Sequence, residues 1–169
     1  LIIGNAPGND LAFSEDKIRG YRNFANKIWQ ASRFVLMNAN RAEQRAAQKS
    51  EPRQRRGKIK LTARDRKRLK EFEALKKKIA KQIESFKFYL AAEEIYHYFW
   101  HTFCDKIIEE MKPRLQGKDE KDKQSAQFVL LEILRGCLKI LHPFMPFITE
   151  EIWSALPLKD KKMLIIEKW

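Results

Sequence analysis

Apolar residues recur at intervals of three and four along most of this chain, and a period near 3.6 commits it to amphipathic helices packed on one another. The second such stretch shows the pattern most cleanly. Behind Thr62, which caps the helix with Asp65 three residues on, Leu69, Phe72, Leu75, Ile79, Ile83 and Phe86 form one stripe. Lys67, Lys70, Lys76, Lys77, Lys78 and Lys81 cover much of the rest, so one buried and one cationic side is expected; lysine stems also cover apolar surface. The segment SFKFYLAA turns the chain into a third helix, where Ala92, Ile95, Tyr96, Phe99, Trp100, Phe103, Ile107 and Met111 spread around a wide arc. Such a helix belongs at the centre of a bundle. A fourth spans about Ser125 to Leu141, with Phe128, Leu131, Ile133, Leu134, Leu138 and Leu141 inward. Six glycines and six prolines are few for 169 residues, and β-branched runs are scarce, so the expected fold class is an all-α helical bundle. A chain of this length with 44% apolar residues buries one sizeable core, and one domain over 1–169 is expected.

Leu1 to Ile3 reads as the last turn of an upstream element, stopped by Gly4, Pro7 and Gly8. Phe13 is placed to fold back on Ile18 as a hydrophobic staple. Residues 39–60, polar, basic and broken by Pro52 and Gly57, read as a flexible insertion: either a solubilising one or a phosphate-gripping arm. Pro113 and the run QGKDEKDKQ predict a charged surface connection over 114–124. His142, before Pro143, is expected to cap helix carbonyls. Thr149, Glu150 and Glu151 enter a short helix ending before Pro157, and MLIIEKW is expected as a strand or short extended C-terminal segment.

The first helix, from Ser14 to Asn38, has Ser14 as a plausible N-cap and Glu15 and Asp16 in its first turn. Residues about 100° apart put Ile18, Tyr21, Phe24, Ala25, Ile28, Trp29, Ser32, Val35 and Leu36 on one arc. The opposite arc carries Arg19, Arg22, Asn23, Asn26, Lys27, Gln30 and Arg33, with Phe34 among them. Cations for phosphates, amides for base edges and a ring for stacking are what single-stranded RNA requires; a solvated face with Phe34 covered by a neighbour is the alternative.

The formal charge of +13 calls for an acidic partner, nucleic acid before an anionic membrane surface. The excess is local, with 17 basic residues against five acidic ones from Arg41 to Lys81. Cys104 and Cys137 sit in apolar helical patterns, where buried thiols fit a reducing, cytoplasmic setting better than a disulfide. No apolar run reaches the roughly 18 to 20 residues of a membrane span. The chain opens on LIIGNAPGND, without an initiator Met or a basic leader, and reads as a piece of a longer protein. His97, His101 and Asp105 share a helix face but lack the companions of a metal site, and no metal is expected. No phosphate-binding glycine loop, dinucleotide fingerprint or nucleophile elbow occurs, and Glu93 and Glu94 point in different directions, so no catalytic residue is expected.

RGYRNFANKIWQASRFVLMN, LTARDRKRLKEF, SFKFYLAAEEIYHYFWHTFCD and LHPFMPFITEEIW, in that order, resemble the anticodon-binding region of class I aminoacyl-tRNA synthetases of the valine, isoleucine and leucine group. RNFANKIW and RFVLMN, with APGNDL before them and FCD and HPFMPFITEEIW after, look most like the valine–tRNA ligases. The resemblance implies a helical bundle that follows a catalytic domain and holds the anticodon stem-loop of a valine tRNA. ATP with magnesium, and valine, would be handled elsewhere in the parent ligase. The family's HIGH and KMSKS signatures and its proofreading domain have no counterpart here, so these residues alone should be catalytically inert and need no cofactor. The family's anticodon-facing first helix matches Arg22, Asn23, Phe24, Arg33 and Phe34; Phe24, on the core arc, is structural. The expected RNA contacts are Arg19, Arg22, Asn23, Asn26, Lys27, Gln30, Arg33 and Phe34, with Lys76, Lys77 and Lys78 gripping RNA backbone more weakly. The same module from an isoleucine or leucine enzyme, a non-catalytic helical RNA- or protein-binding scaffold, and membrane attachment through the lysine-rich helix are the rivals.

Overall fold

The computed structural model describes residues 14–48, 59–157 and 162–167, with side chains from 14 to 39 in the first of these stretches. Helix α1 (Glu15–Gln48) opens as expected: Ser14 Oγ accepts the Lys17 N–H at 3.3 Å, and Glu15 and Asp16 occupy the first turn. It does not stop at Asn38. The next residues, RAEQRAAQ, lack apolar periodicity but are nearly all strong helix formers, so α1 runs on to Gln48 and takes in the first part of the expected flexible insertion. Phe13, and with it the staple, lies outside the described residues.

Helix α2 (Ala63–Glu84) starts in a reciprocal capping box, Thr62 Oγ1 accepting the Asp65 N–H and Asp65 Oδ2 accepting the Thr62 N–H. Its C-terminus closes with Phe86 N–H bonded to the Ile83 carbonyl and Lys87 N–H to the Gln82 carbonyl, the Schellman pattern. That turn requires a left-handed residue, and here it is Phe86, at φ 59°. Phe86 is therefore not the last member of the buried stripe; it is 78% exposed.

Helix α3 (Phe88–His97), a π-wound stretch (Tyr98–Ile108) and α4 (Glu109–Gln116) form one unbroken rod through the centre. One row of its buried residues, Ala91, Ile95, Phe99, Phe103, Ile107, Met111 and Leu115, stands at every fourth position, with Ala92, Cys104 and Ile108 buried beside it. In an α-helix such a repeat overshoots a full turn by about 40° each time. The wider π winding, with i→i+5 hydrogen bonds, takes up the overshoot and keeps the row on one face. Pro113 lies inside α4 without ending it, because Leu115 is buried beyond it and Arg114 is pinned to neighbouring helices. The charged connection shrinks accordingly. Helix α5 (Glu120–Leu141) begins five residues before Ser125, behind Asp119, whose Oδ1 accepts the Lys121 N–H.

Helix α5 packs on α1, α2, α4 and α6, and α1 also contacts the π-wound stretch and α6. The core joins Phe24, Ile28 and Val35 to Phe99, Phe103, Leu134, Leu138 and Trp153. Gly136 marks the α2–α5 contact: a Cβ there would lie 2.3 Å from Phe72 Cε1. Cys104 and Cys137 are buried free thiols; burial pushes the Cys104 thiol up to about 12 and Cys137 also well above its ordinary value.

At the end of α2 that carries its cap, Asp65, with none of its surface exposed, ties three helices together. Arg114 donates to both its oxygens (2.7 and 3.0 Å) and Ser125 Oγ–H donates at 2.6 Å, while Arg114 also reaches Asp122. Burial alone would raise the Asp65 pKa, but the bonds from Arg114, Ser125 and Thr62 outweigh it and hold the carboxyl well below the usual carboxylate range.

Helix α6 (Pro146–Ala155) carries Pro146 at its start and ends at Leu156. The His142 ring does not cap carbonyls: its Nδ1 lies 2.8 Å from Thr149 Oγ1, which donates onward to the Met145 carbonyl. The C-terminal segment, expected as a strand or short extended piece, is extended at Met163 and Glu167 and passes through a 3-10 turn, Leu164–Ile166, between them. It is held by Leu164 N–H to Glu150 and by Trp153 Nε1–H to the Lys162 carbonyl, which leaves no ladder to form.

Candidate nucleic-acid interface

The outward face of α1 follows from which of its sides is buried. Phe24, Ile28, Ala31, Ser32, Val35 and Ala39 turn to the core, so Arg19, Arg22, Asn23, Asn26, Gln30 and Arg33 are left exposed in one row. Arg19 stands at the weak limit of an ion pair with Asp16, 4.0 Å away and largely solvated. Arg22 and Arg33 make no ion pair among the described residues. Two unpaired guanidiniums three turns apart, with three side-chain amides between them, present donors for phosphate oxygens and both donors and acceptors for base edges.

Lys27 and Phe34, expected in this row, are held at its edge. Lys27 Nζ bonds Asp105 Oδ1 at 2.8 Å and lies 5.0 Å from the centre of the Trp100 ring, which is stacked on Phe24. The Lys27 ammonium, foremost through that hydrogen bond, lowers the Asp105 pKa. The cation is thus already engaged with the π-wound helix. Phe34 is half-buried against the core, and its carbonyl accepts from Asn38 Nδ2 at 2.8 Å. A position on the polar arc did not leave its ring free, because a neighbouring helix covers that edge.

The aromatic that α1 does expose is Trp29, assigned by the wheel to the core arc yet 43% exposed; Ile18, from the same arc, is 44% exposed. Met37 is 48% exposed beside Arg33. The wheel carried a signal for both: Met37 stands two turns beyond Gln30 on the polar face, and Trp29 lies at the margin of the core arc.

The lysines of α2 are not joined to this row. Helix α2 packs on α3 and α5. Lys76 is bonded to Glu73 at 2.7 Å and Lys78 to Glu94 at 2.6 Å, while Lys77 is exposed. Only Lys77 of the three has no ion pair among the described residues. At the junction of α3 and the π-wound stretch, the His97 and His101 rings lie 5.8 Å apart, and His101 faces Asp105 at 3.4 Å. No cluster of three or more metal-ligating side chains occurs among the described residues. No described helix is long and apolar enough to cross a membrane.

Residues 65–169 match the family described as the anticodon-binding domain of tRNA ligase. Over 165 residues, 98% of this chain, it is 41% identical to a valine–tRNA ligase of Carboxydothermus hydrogenoformans, covering 18% of that protein. Against the valine–tRNA ligase of Clostridium acetobutylicum it is 40% identical over 100% of the chain and 18% of the relative. For that of Thermosynechococcus vestitus the figures are 44%, 90% and 16%. The chain therefore spans under a fifth of the length of these curated relatives. An all-α bundle whose residues 65–169 match this family, the chain belongs to the anticodon-binding domains of tRNA ligases.

Proposed function

We propose that the outward face of α1 holds the anticodon stem-loop of a valine tRNA, and that this bundle, one domain over residues 1–169, serves a longer valine–tRNA ligase. The catalytic domain of that longer protein would carry out ATP- and magnesium-dependent aminoacylation in the cytoplasm, with this domain fixing where the tRNA lies. The observation that carries the reading is the exposed row Arg22, Asn23, Asn26, Gln30 and Arg33, whose two arginines have no ion pair among the described residues. Sequence identity of 40–41% to valine–tRNA ligases supports the choice of amino acid.

The residues divide by role. Arg22 and Arg33 take phosphates or base edges, Asn23, Asn26 and Gln30 read base edges, and Arg19 adds charge at the rim. Lys27 and Phe34 shape the margin, and Lys77, with Lys76 and Lys78 behind their acidic partners, adds a sequence-independent pull. The test is binding of the chain to a valine anticodon stem-loop, and to the same loop with its central A and following C replaced, at two salt concentrations. A preference for the intact loop that survives higher salt is expected. Equal binding that vanishes with salt would leave a basic surface with no reading of the anticodon.

A further inference from the structure

Between the end of α5, the start of α6 and the C-terminal 3-10 turn lies a groove of about 420 Å³, walled by Pro143, Pro146, Leu164 and Ile165 together with His142. Its shape is fixed in advance. Glu150 accepts the Leu164 N–H and Trp153 Nε1–H donates to the Lys162 carbonyl, which holds the turn against α6. Around the groove apolar surface is bare: Phe147, beside Pro146, is 91% exposed, and Met163, Ile165 and Ile166 are each more than half exposed. Single exposed apolar residues are ordinary, but four large ones gathered about one concave face mark a contact surface. One polar atom stands among them. His142 Nδ1 lies 2.8 Å from Thr149 Oγ1, whose single hydrogen goes to the Met145 carbonyl, so the ring donates there. Neutral His142 therefore keeps Nε2 as an acceptor with no partner among the described residues.

We infer that this groove seats a polypeptide segment of the longer ligase from outside these 169 residues. The segment sets an apolar side chain between Pro143, Pro146 and Ile165 and donates one hydrogen bond to His142 Nε2. The relatives favour that occupant: this chain spans under a fifth of their length, so most of such a protein is further polypeptide that has to pack around the bundle. RNA is disfavoured by charge. The one lysine in the walls, Lys139, is 3.7 Å from Glu167 and 5.6 Å from the centre of the Trp153 ring, and the Glu167 carboxylate repels phosphate. The inference rests on the reading of this bundle as one domain of a longer protein.

The experiment puts photoreactive benzoylphenylalanine in place of Phe147 in the longer protein, illuminates it and identifies the joined peptide by mass spectrometry. A crosslink within one polypeptide, to an apolar segment outside these residues, is expected. Ile165→Asp should lower the ratio of docked to undocked protein, read from the crosslink yield, by about 10-fold or more. The same change should leave the urea midpoint of the 169-residue chain where it is, because Ile165 is exposed there. His142→Asn, whose side-chain N–H still reaches for Thr149 but which lacks Nε2, should lower the ratio by about 2- to 10-fold. No crosslink, or one to a second copy or to bound tRNA, would overturn the inference, and so would full yield in both variants. Failure to crosslink in a protein that still binds the valine anticodon loop would remove the groove's role and leave the RNA face standing. A crosslink in a protein that binds no such loop would remove the RNA reading and leave that of the groove.

Discussion

Asp65→Asn would test how the bundle is held at the capped end of α2. Its two oxygens accept four bonds at 2.6–3.0 Å, from the Thr62 N–H, two Arg114 nitrogens and the Ser125 hydroxyl. Every one of those groups arrives as a donor. Asparagine keeps the shape but offers one acceptor oxygen and replaces the other with an N–H₂ that must face donors. The Arg114 guanidinium, only 18% exposed, is then left with Asp122 as its remaining carboxylate. Removing one partner of such a buried pair typically costs about 3–5 kcal/mol. The capping box keeps at least its Thr62 half, so little of the roughly 1 kcal/mol of a cap need be added. For a domain whose total stability is on the order of 5–15 kcal/mol, the variant should unfold at a much lower urea midpoint with an unchanged slope, followed by circular dichroism.

The same network sets a dependence on pH. The folded Asp65 pKa is depressed, so its stabilisation is fully present above the unfolded value of about 3.9 and fades as pH falls through the acid range. The gap between unaltered chain and Asp65→Asn should therefore narrow below about pH 4. A loss under about 1 kcal/mol at pH 7, or a gap that stays constant into acid, would refute the account of Asp65 as an ionised clamp.

Other outcomes can be checked with the same unfolding assay or by RNA titration. Gly136→Ala should cost about 1–3 kcal/mol, because the new methyl meets Phe72, which is 3% exposed and stacked on Tyr98 at 5.3 Å. Phe86→Gly should raise stability by about 0.5–1 kcal/mol, since relief of the left-handed conformation exceeds glycine's extra unfolded-state entropy. Arg22→Ala combined with Arg33→Ala should reduce the salt dependence of RNA binding by nearly two phosphate contacts, measured as the slope of log affinity against log salt.

The apolar stripes placed the helices well where burial alone decides, as at Leu69–Ile83 and around Ile133–Leu138. Propensity without periodicity was the harder signal: RAEQRAAQ had no apolar face to announce it, yet α1 continues through it. Pro113 misled for the opposite reason, since what overrides it comes from Asp65, forty-eight residues earlier. On the outward face of α1 the exposed arginines and amides were legible from the wheel. Which residues guard its edges was not. Lys27 is diverted by Asp105 and Trp100, and Phe34 is covered by packing, because a single helix's wheel carries no information about where its neighbours stop.

The π-wound stretch has a consequence for how this helix tolerates a change of length. A residue inserted into a buried α-helix ordinarily swings everything beyond it by about 100° and scrambles the core. Tyr98–Ile108 instead behaves as a rod that has absorbed a surplus residue by widening, so that Phe99, Phe103 and Ile107 stay in line with Ile95 before them and Met111 after them. His101 and Asp105 lie on the outer side of the stretch. Asp105 is the carboxylate that engages Lys27, so the same stretch that keeps the core row in line also ties the first helix to the centre of the bundle and neutralises one of its cations.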